Sequence, residues 1–472
     1  MKELKHIKVI SDSVFLIFAC ALLFMNLPIW KWVESLSLFL PGTQFFQRFL
    51  HIPGGILAYL GCFLTQSLHY PVLGSLLFVA LLFVVQRLTE AVFSFSKEAY
   101  PLSFIPSFML LTAVVNMGYT WLTIKAVGHF FTPTLGCCFF LLSAWAYLHI
   151  KYPLVRLVII LALAFSYIWF GFYALCAVGL CALLEGKRNV DLKRYVLFLL
   201  IGVVAIWLTP KLCYYSFDTT EQEISRMYLG GMPDFFVRKS ELMLWMPFLI
   251  LIGCLIIFAA CSIFTVVHLP NKLKGIPMAF YLCALLFTAS QVYRNENFTA
   301  SVRANLAMDT GDWQEAYHVA RNVKGNPSRD VIINGELAQV MLGMPKANQE
   351  LPDIPASYKD SRPGFSTFMQ LAGLPMLYYM GQTNLCYRWG MEMSVEYGWR
   401  PSSLKYMVRC ALLKGEYALA NKYNGILMKT MNHKDWAKKY QPFIDNPDLM
   451  KQEKEFIQIA SAAKDLPDMF VE

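Results

Sequence analysis

The chain has 472 residues, 57% of them apolar and only 15% charged, with a net charge of +9. Ordinary soluble domains are about 25% charged, so this composition excludes a disordered chain and argues against a wholly soluble enzyme. Charge is also unevenly placed: residues 1–290 hold 20 Lys and Arg against 12 Asp and Glu, whereas residues 291–472 hold 21 against 20.

The fold class expected is all-α: a polytopic membrane domain over residues 1–291, of about nine to ten helices, followed by a helical domain over 292–472. Apolar runs of spanning length fall near 12–30, 53–68, 71–88, 103–124, 131–150, 153–184, 194–210, 242–267 and 275–291. A span needs about 20 residues, and backbone groups that cannot stay unpaired in lipid make each a helix. Lys2, Lys5 and Lys8 precede the first run, but no small-residue cleavage site follows it, and Trp30 and Trp32 resemble an interface anchor. The first run is therefore expected to stay as an uncleaved span.

Short loops rich in Lys and Arg set the orientation. The N-terminus, the loop 185–194 with Lys187, Arg188, Lys193 and Arg194, and the loop 268–274 with Lys272 and Lys274 are expected on the cytoplasmic side. The last span then exits outward, into the periplasm if the membrane is a bacterial inner membrane. The run 153–184 leaves two alternatives, with Gly171 near its middle. As one kinked helix it leaves Lys151 outside; as a hairpin it brings Lys151 and Arg156 inside, and another segment must then fail to cross. Residues 35–50, with Pro41-Gly42, are expected along the outer interface.

The second part has helical periodicity broken by glycines. Gly311-Asp-Trp-Gln-Glu-Ala316 and Gly415-Glu-Tyr-Ala-Leu-Ala420 share a pattern, and Gly381 is followed five residues later by Cys386. Glycines 311, 343, 381 and 415 are 32, 38 and 34 residues apart, near the ~34-residue tetratricopeptide unit. Each glycine would close a turn that needs positive φ, and the small residue after it would let the next helix approach. The expectation is a degenerate TPR-like array, the alternative an irregular bundle with C-cap glycines. Pro345, Pro352, Pro355 and Pro363 mark a long surface loop.

Motifs for cofactor chemistry are missing from the sequence: no CxxC, HExxH, P-loop or GxGxxG occurs. No metal and no cofactor is therefore expected, and no nucleic-acid partner. Nine of the twelve cysteines lie in the apolar runs. Cys386 and Cys410 would stand on adjacent helices, as two buried thiols or, alternatively, a disulfide. The runs hold almost no ionisable groups beyond Asp12 and Glu90 at their edges, which argues against an ion-coupled transporter. Asn26, Gln66, Gln86 and Asn116 are expected to make polar helix–helix contacts.

Titratable groups gather instead on the outward side. Glu34 stands in the first external loop, and the loop 211–241 carries Asp218, Glu221, Glu223, Arg226, Asp234, Arg238 and Lys239. A carboxylate at the lipid–water boundary is a candidate proton acceptor from an acceptor hydroxyl. Arg226, Arg238 and Lys239 are candidates for a donor phosphate. The alternative is ordinary solvated loop charge.

Pro53-Gly54-Gly55-Ile-Leu-Ala-Tyr-Leu, Phe63-Leu64-Thr65-Gln66 and Tyr70-Pro71-Val-Leu-Gly74, with the later Gly415 segment and Trp436-Ala437, resemble an uncharacterised Bacteroidota family of multispanning proteins with a helical C-terminal domain. That resemblance implies no activity. In layout the chain also resembles the GT-C class of membrane glycosyltransferases, whose first external loop usually supplies acidic residues. This likeness implies a transferase using a polyprenyl-phosphate-linked donor at the periplasmic face, with Glu34 as base and membrane lipids around it. Two other readings stay open. One is a membrane-anchored scaffold whose residues 300–440 bind periplasmic or envelope-assembly proteins. The other is a component of lipid or polymer translocation.

Overall fold

The computed structural model describes residues 2–126, 128–188, 191–217, 228–232, 242–263, 275–344 and 369–465. Its regular elements are helices, with no strand among the described residues. In chain order they are α1 Lys2–Phe24, α2 Leu27–Ser35, α3 Thr43–Leu50, α4 Gly55–Thr65, α5 Pro71–Phe93, α6 Ile105–Val115, α7 Thr132–His149, α8 Pro153–Phe165, α9 Phe172–Leu184, α10 Leu192–Phe217, α11 Leu242–Ile263 and α12 Ile276–Ser290. The tail continues with α13 Glu296–Thr310, α14 Trp313–Arg321, α15 Arg329–Met341, α16 Leu374–Tyr379, α17 Thr383–Tyr397, α18 Pro401–Leu413, α19 Tyr417–Met428, α20 Lys434–Asp445 and α21 Lys454–Asp465.

Four of the described helices are long and apolar enough to cross a bilayer: His6–Phe24, Pro71–Phe93, Leu192–Cys213 and Met243–Ile263. Tyr100–Val115, Pro153–Phe165 and Ile276–Ser290 are apolar but shorter. Large apolar side chains face outward along these helices; Val9, Ile17, Leu73, Val158, Val203, Ile257 and Leu286 are each more than half exposed. Exposed apolar surface of this extent marks an interaction surface rather than one left to water.

Charged groups collect at one end of the apolar bundle. Arg87 bonds Asp12 at 2.8 Å and the Tyr100 hydroxyl at 2.7 Å, and Lys8 pairs with Glu90. Lys187 donates to the Val92 carbonyl at 3.2 Å, which brings the loop after α9 to the same end. The opposite end meets the tail. There Tyr293 N–H donates to Val115 O at 2.9 Å, and Trp32 meets Phe298 edge-on with ring centroids 5.8 Å apart. The apolar core crosses residue 291 without a break, because Phe298, Val302 and Leu371 pack with residues of the bundle. Of the polar groups inside, Gln86 donates to Ser103 Oγ at 2.7 Å and Gln66 to the Ser37 carbonyl at 3.1 Å.

The run 153–184 folds as a hairpin. Arg156, at the start of α8, donates to Glu185, just past α9, at 2.7 Å, so the two ends lie together and the arms are antiparallel. Each arm has 13 residues. The tip turns at Gly171, whose φ is +55°. Phe172 N–H donates to Gly230 O at 2.8 Å, and a Cβ on Gly171 would lie 2.0 Å from that oxygen and 3.0 Å from Gly54 N. Three glycine segments thus meet backbone to backbone.

In the tail, Gly311, Gly343, Gly381 and Gly415 have φ of +79°, +67°, +77° and +75°. Each is followed by an amide that reaches back five residues: Asp312 to Ala307 O, Met344 to Gln339 O, Gln382 to Leu377 O and Glu416 to Ala411 O. This is the Schellman termination, which satisfies a carbonyl left over at the helix end. Ala316, Cys386 and Ala420, five residues past three of these glycines, are each 0% exposed. Cys386 and Cys410 are both buried free thiols.

Gly171→Ala combines a disfavoured φ with an overpacked contact and is expected to cost about 3 kcal/mol. Gly253→Ala, where a new Cβ meets nothing within 4 Å, is expected to leave the thermal midpoint in detergent unchanged or raised. Equal midpoints for the two variants would contradict the glycine contact.

Candidate functional site

α2 begins with Pro28 in its first turn and is held against α1 by the Trp30 indole, which donates to Leu23 O at 2.8 Å. Glu34 is its next-to-last residue and is 1% exposed. Its partners come from two distant places. Asn432, in the turn between α19 and α20, donates to Glu34 Oε1 at 3.0 Å and also to Gln66 O at 2.9 Å. His433 Nε2 stands 3.2 Å from Oε1, and His69 Nδ1 stands 3.6 Å from Oε2. The turn itself is fixed locally, because His433 N–H donates to Thr430 Oγ1 at 3.1 Å. Burial alone would raise the Glu34 carboxyl, but the contacts from His433, His69 and Asn432 outweigh it and hold the group down at about 2.

Glu34 forms the floor of a cavity of about 700 Å³ that the bundle and the tail enclose together. The walls are two further ion pairs. Lys405 bonds Asp309 at 2.5 Å; desolvation pushes the partly exposed Asp309 carboxyl up, but the charges of Lys405 and Arg409 outweigh it and keep the group low. Arg409 lies 3.3 Å from Glu455 and donates from Nε to the Tyr440 hydroxyl at 3.0 Å. Glu455 also accepts from Tyr378 and Tyr440, each at 2.8 Å. Four rings surround the Arg409 guanidinium, those of Tyr378, Tyr406, Trp436 and Tyr440, with centroids 5.2–5.7 Å away. Such a cage, with Glu455, meets the charge of a buried arginine, although its Nη1 has no acceptor among the described residues.

The remaining lining is of another kind. Lys31, Lys439 and Lys454 are exposed at the rim, and among the described residues no carboxylate lies within ion-pair distance of them. Trp313 and Trp436 present ring surface to the same space. Unpaired cations beside aromatic faces suit an anionic ligand with a flat or ring-shaped part. Among the described residues no group of three His, Cys, Asp or Glu is arranged to hold a metal ion.

Of the site residues expected from sequence, Glu34 is at the cavity floor. Arg226, Arg238 and Lys239 lie outside the described residues, as do Asp218, Glu221, Glu223 and Asp234. Sequence reasoning passed over His69, Asp309, Lys405, Arg409, Asn432, His433 and Glu455. One signal was present: Lys405 and Arg409 sit four apart on a helix that is otherwise largely apolar, where charge is kept only with a partner.

Fold and cavity together define an all-helical protein with helices of membrane-crossing length and a large polar cavity shared by its apolar half and its tail. The chain matches the family of unknown function DUF6057 over residues 4–471 and belongs to that family. No curated protein and no solved structure matches it.

Removing a partner from a buried ion pair strands the other groups, so Glu34→Ala is expected to lower stability by about 3 kcal/mol. The carboxyl sits at about 2 in the folded chain against an ordinary 4.5. Its contribution is therefore whole above pH 4.5 and lost as pH falls toward 2. Thermal midpoints of the native chain and the variant should converge over that interval; a gap that does not narrow there would contradict the pairing.

Proposed function

We propose that this protein is a membrane transferase of envelope glycan assembly that takes a polyprenyl-phosphate-linked sugar into the cavity above Glu34. The observation that carries the reading is the cavity itself: about 700 Å³, at the tail end of the apolar bundle, with a buried carboxylate–histidine group on its floor and unpaired lysines at its rim. In this account the acceptor hydroxyl attacks the anomeric carbon of the sugar. The bond from that carbon to the phosphate oxygen breaks, and the hydroxyl proton passes to His69. A carboxyl held near 2 is a poor proton acceptor at neutral pH. Glu34 therefore serves as a positioning residue that orients His69, whose side chain is 31% exposed toward the cavity. Lys31, Lys439 and Lys454 receive the leaving phosphate, together with Arg226, Arg238 and Lys239, the cations first singled out for that role.

The proposed setting is a bacterial inner membrane. The bundle end that carries Lys8, Lys187 and Arg188 is assigned to the cytoplasm by its positive charge, and the tail to the periplasm. With the hairpin tip of α8 and α9 against Gly54 and His69 beside Glu34, α4 stays on the outer side as the segment that does not cross. The turns at Gly311, Gly381 and Gly415 support a TPR-like reading of the tail. A scaffold would use those helices as a free groove, but α13 lies against α2 and the turn at Asn432 lies on Glu34.

His69→Gln is expected to lower transfer about 100-fold or more while the protein stays folded, and Glu34→Gln to lower it with a shifted pH profile. Lipid-linked sugar and surface glycan profiles of cells carrying each variant provide the measurement. Unchanged profiles for both, or a reporter fused after residue 300 that faces the cytoplasm, would overturn the proposal.

A further inference from the structure

A second, much smaller cavity lies where the tail docks on the bundle. It has a volume of about 40 Å³ and is bounded by Ser37, Trp121, Gly128, Tyr397 and Arg400 among others. Arg400 directly precedes α18 and is 3% exposed. Its Nη2 donates to Leu122 O at 2.9 Å, across the junction between tail and bundle. Its Nε and Nη1 are buried and have no acceptor.

The charges around it do not compensate. The Tyr397 ring lies under the guanidinium, with its centroid at 4.9 Å. Lys125 also borders the cavity and adds positive charge, but it pairs at the surface with Glu396 at 2.7 Å. His129 closes the far side and is buried. Thus, among the described residues, no carboxylate lines the cavity beside the guanidinium. Burial pushes Arg400 down to about 10, with Tyr397 opposing the shift only in part. It therefore carries a full charge at neutral pH. Every other buried arginine described here has a carboxylate: Arg156 has Glu185 and Arg409 has Glu455.

We infer that the cavity at Arg400 binds a single small monovalent anion of chloride size, held by Nε and Nη1 of Arg400 with the Ser37 hydroxyl as a further donor. A water molecule would satisfy the two donors but leave the charge unmatched, whereas a halide meets both needs. The volume suits about one species of that size. Because Ser37 and Trp121 belong to the bundle and Arg400 to the tail, the anion joins the two, and its binding and tail docking stabilise each other.

The test uses the full chain in detergent, with thermal midpoints measured at constant ionic strength in sodium chloride, sodium bromide and sodium gluconate. Chloride and bromide are expected to raise the midpoint along a one-site saturation curve, by about 3 °C near saturation; gluconate is too bulky to enter. Arg400→Met should remove the difference between the salts. Crystals of the native chain grown in bromide should show an anomalous peak within hydrogen-bond distance of Arg400, a readout that does not depend on the variant folding. Equal midpoints in all three salts, a halide effect that survives Arg400→Met, or water alone at the site in the bromide crystals would each overturn the inference.

Discussion

A carboxylate that leaves water must be met by donors or cations, and for Glu34 they arrive from the far end of the chain. Asn432 and His433 are almost four hundred residues away in sequence, yet both lie on that one side chain. The contact decides more than local stability. It places the turn after α19 over the end of α2, which seats the tail on the bundle and closes the space between them into a cavity. Without it the walls built by Asp309, Lys405, Arg409 and Glu455 would face open solvent.

Charge is distributed by the same physics throughout the molecule. The apolar helices expose their hydrocarbon faces and keep ionisable groups at the two ends. At one end the pairs of Asp12, Arg87 and Glu90 and of Arg156 and Glu185 tie neighbouring helices together. At the other, pairs tie the bundle to the tail. Where the charges are buried, as at Arg156 with Glu185 and at Glu34, deleting one member costs more than the pair contributes; the half-exposed pairs of Arg87 contribute little. Arg400 is the exception. It shows what an unmatched charge looks like in this fold: two idle donors beside a space of atomic size.

Local features of this architecture were legible in the sequence. The helix-terminating glycines at 311, 343, 381 and 415 act through φ and one backbone hydrogen bond, both set within six residues, so spacing alone exposes them. The small residues at 316, 386 and 420 follow for the same reason. Glu34 also stood out, as the lone carboxylate between Trp30 and residue 52. What remained hidden depends on contacts between distant segments. Composition cannot tell a kinked helix from a hairpin across 153–184. The Arg156–Glu185 pair and the meeting of Gly171 with Gly54 and Gly230 decide it. Histidines 69 and 433 are two among eight scattered ones, and nothing near either in sequence points to the other. The surroundings of Glu34 were hidden for the same reason: the three partners that lower its carboxyl lie outside its own sequence neighbourhood.

The most direct test of this account is a double-mutant cycle between Glu34 and Asn432, with Glu34→Ala, Asn432→Ala and the double variant compared in thermal or denaturant unfolding. Residues joined by a buried hydrogen bond should couple by about 1–3 kcal/mol, and the account predicts a coupling of that size. Strictly additive effects would mean that the tail is not seated on α2 through this carboxylate, and the shared cavity would lose its basis.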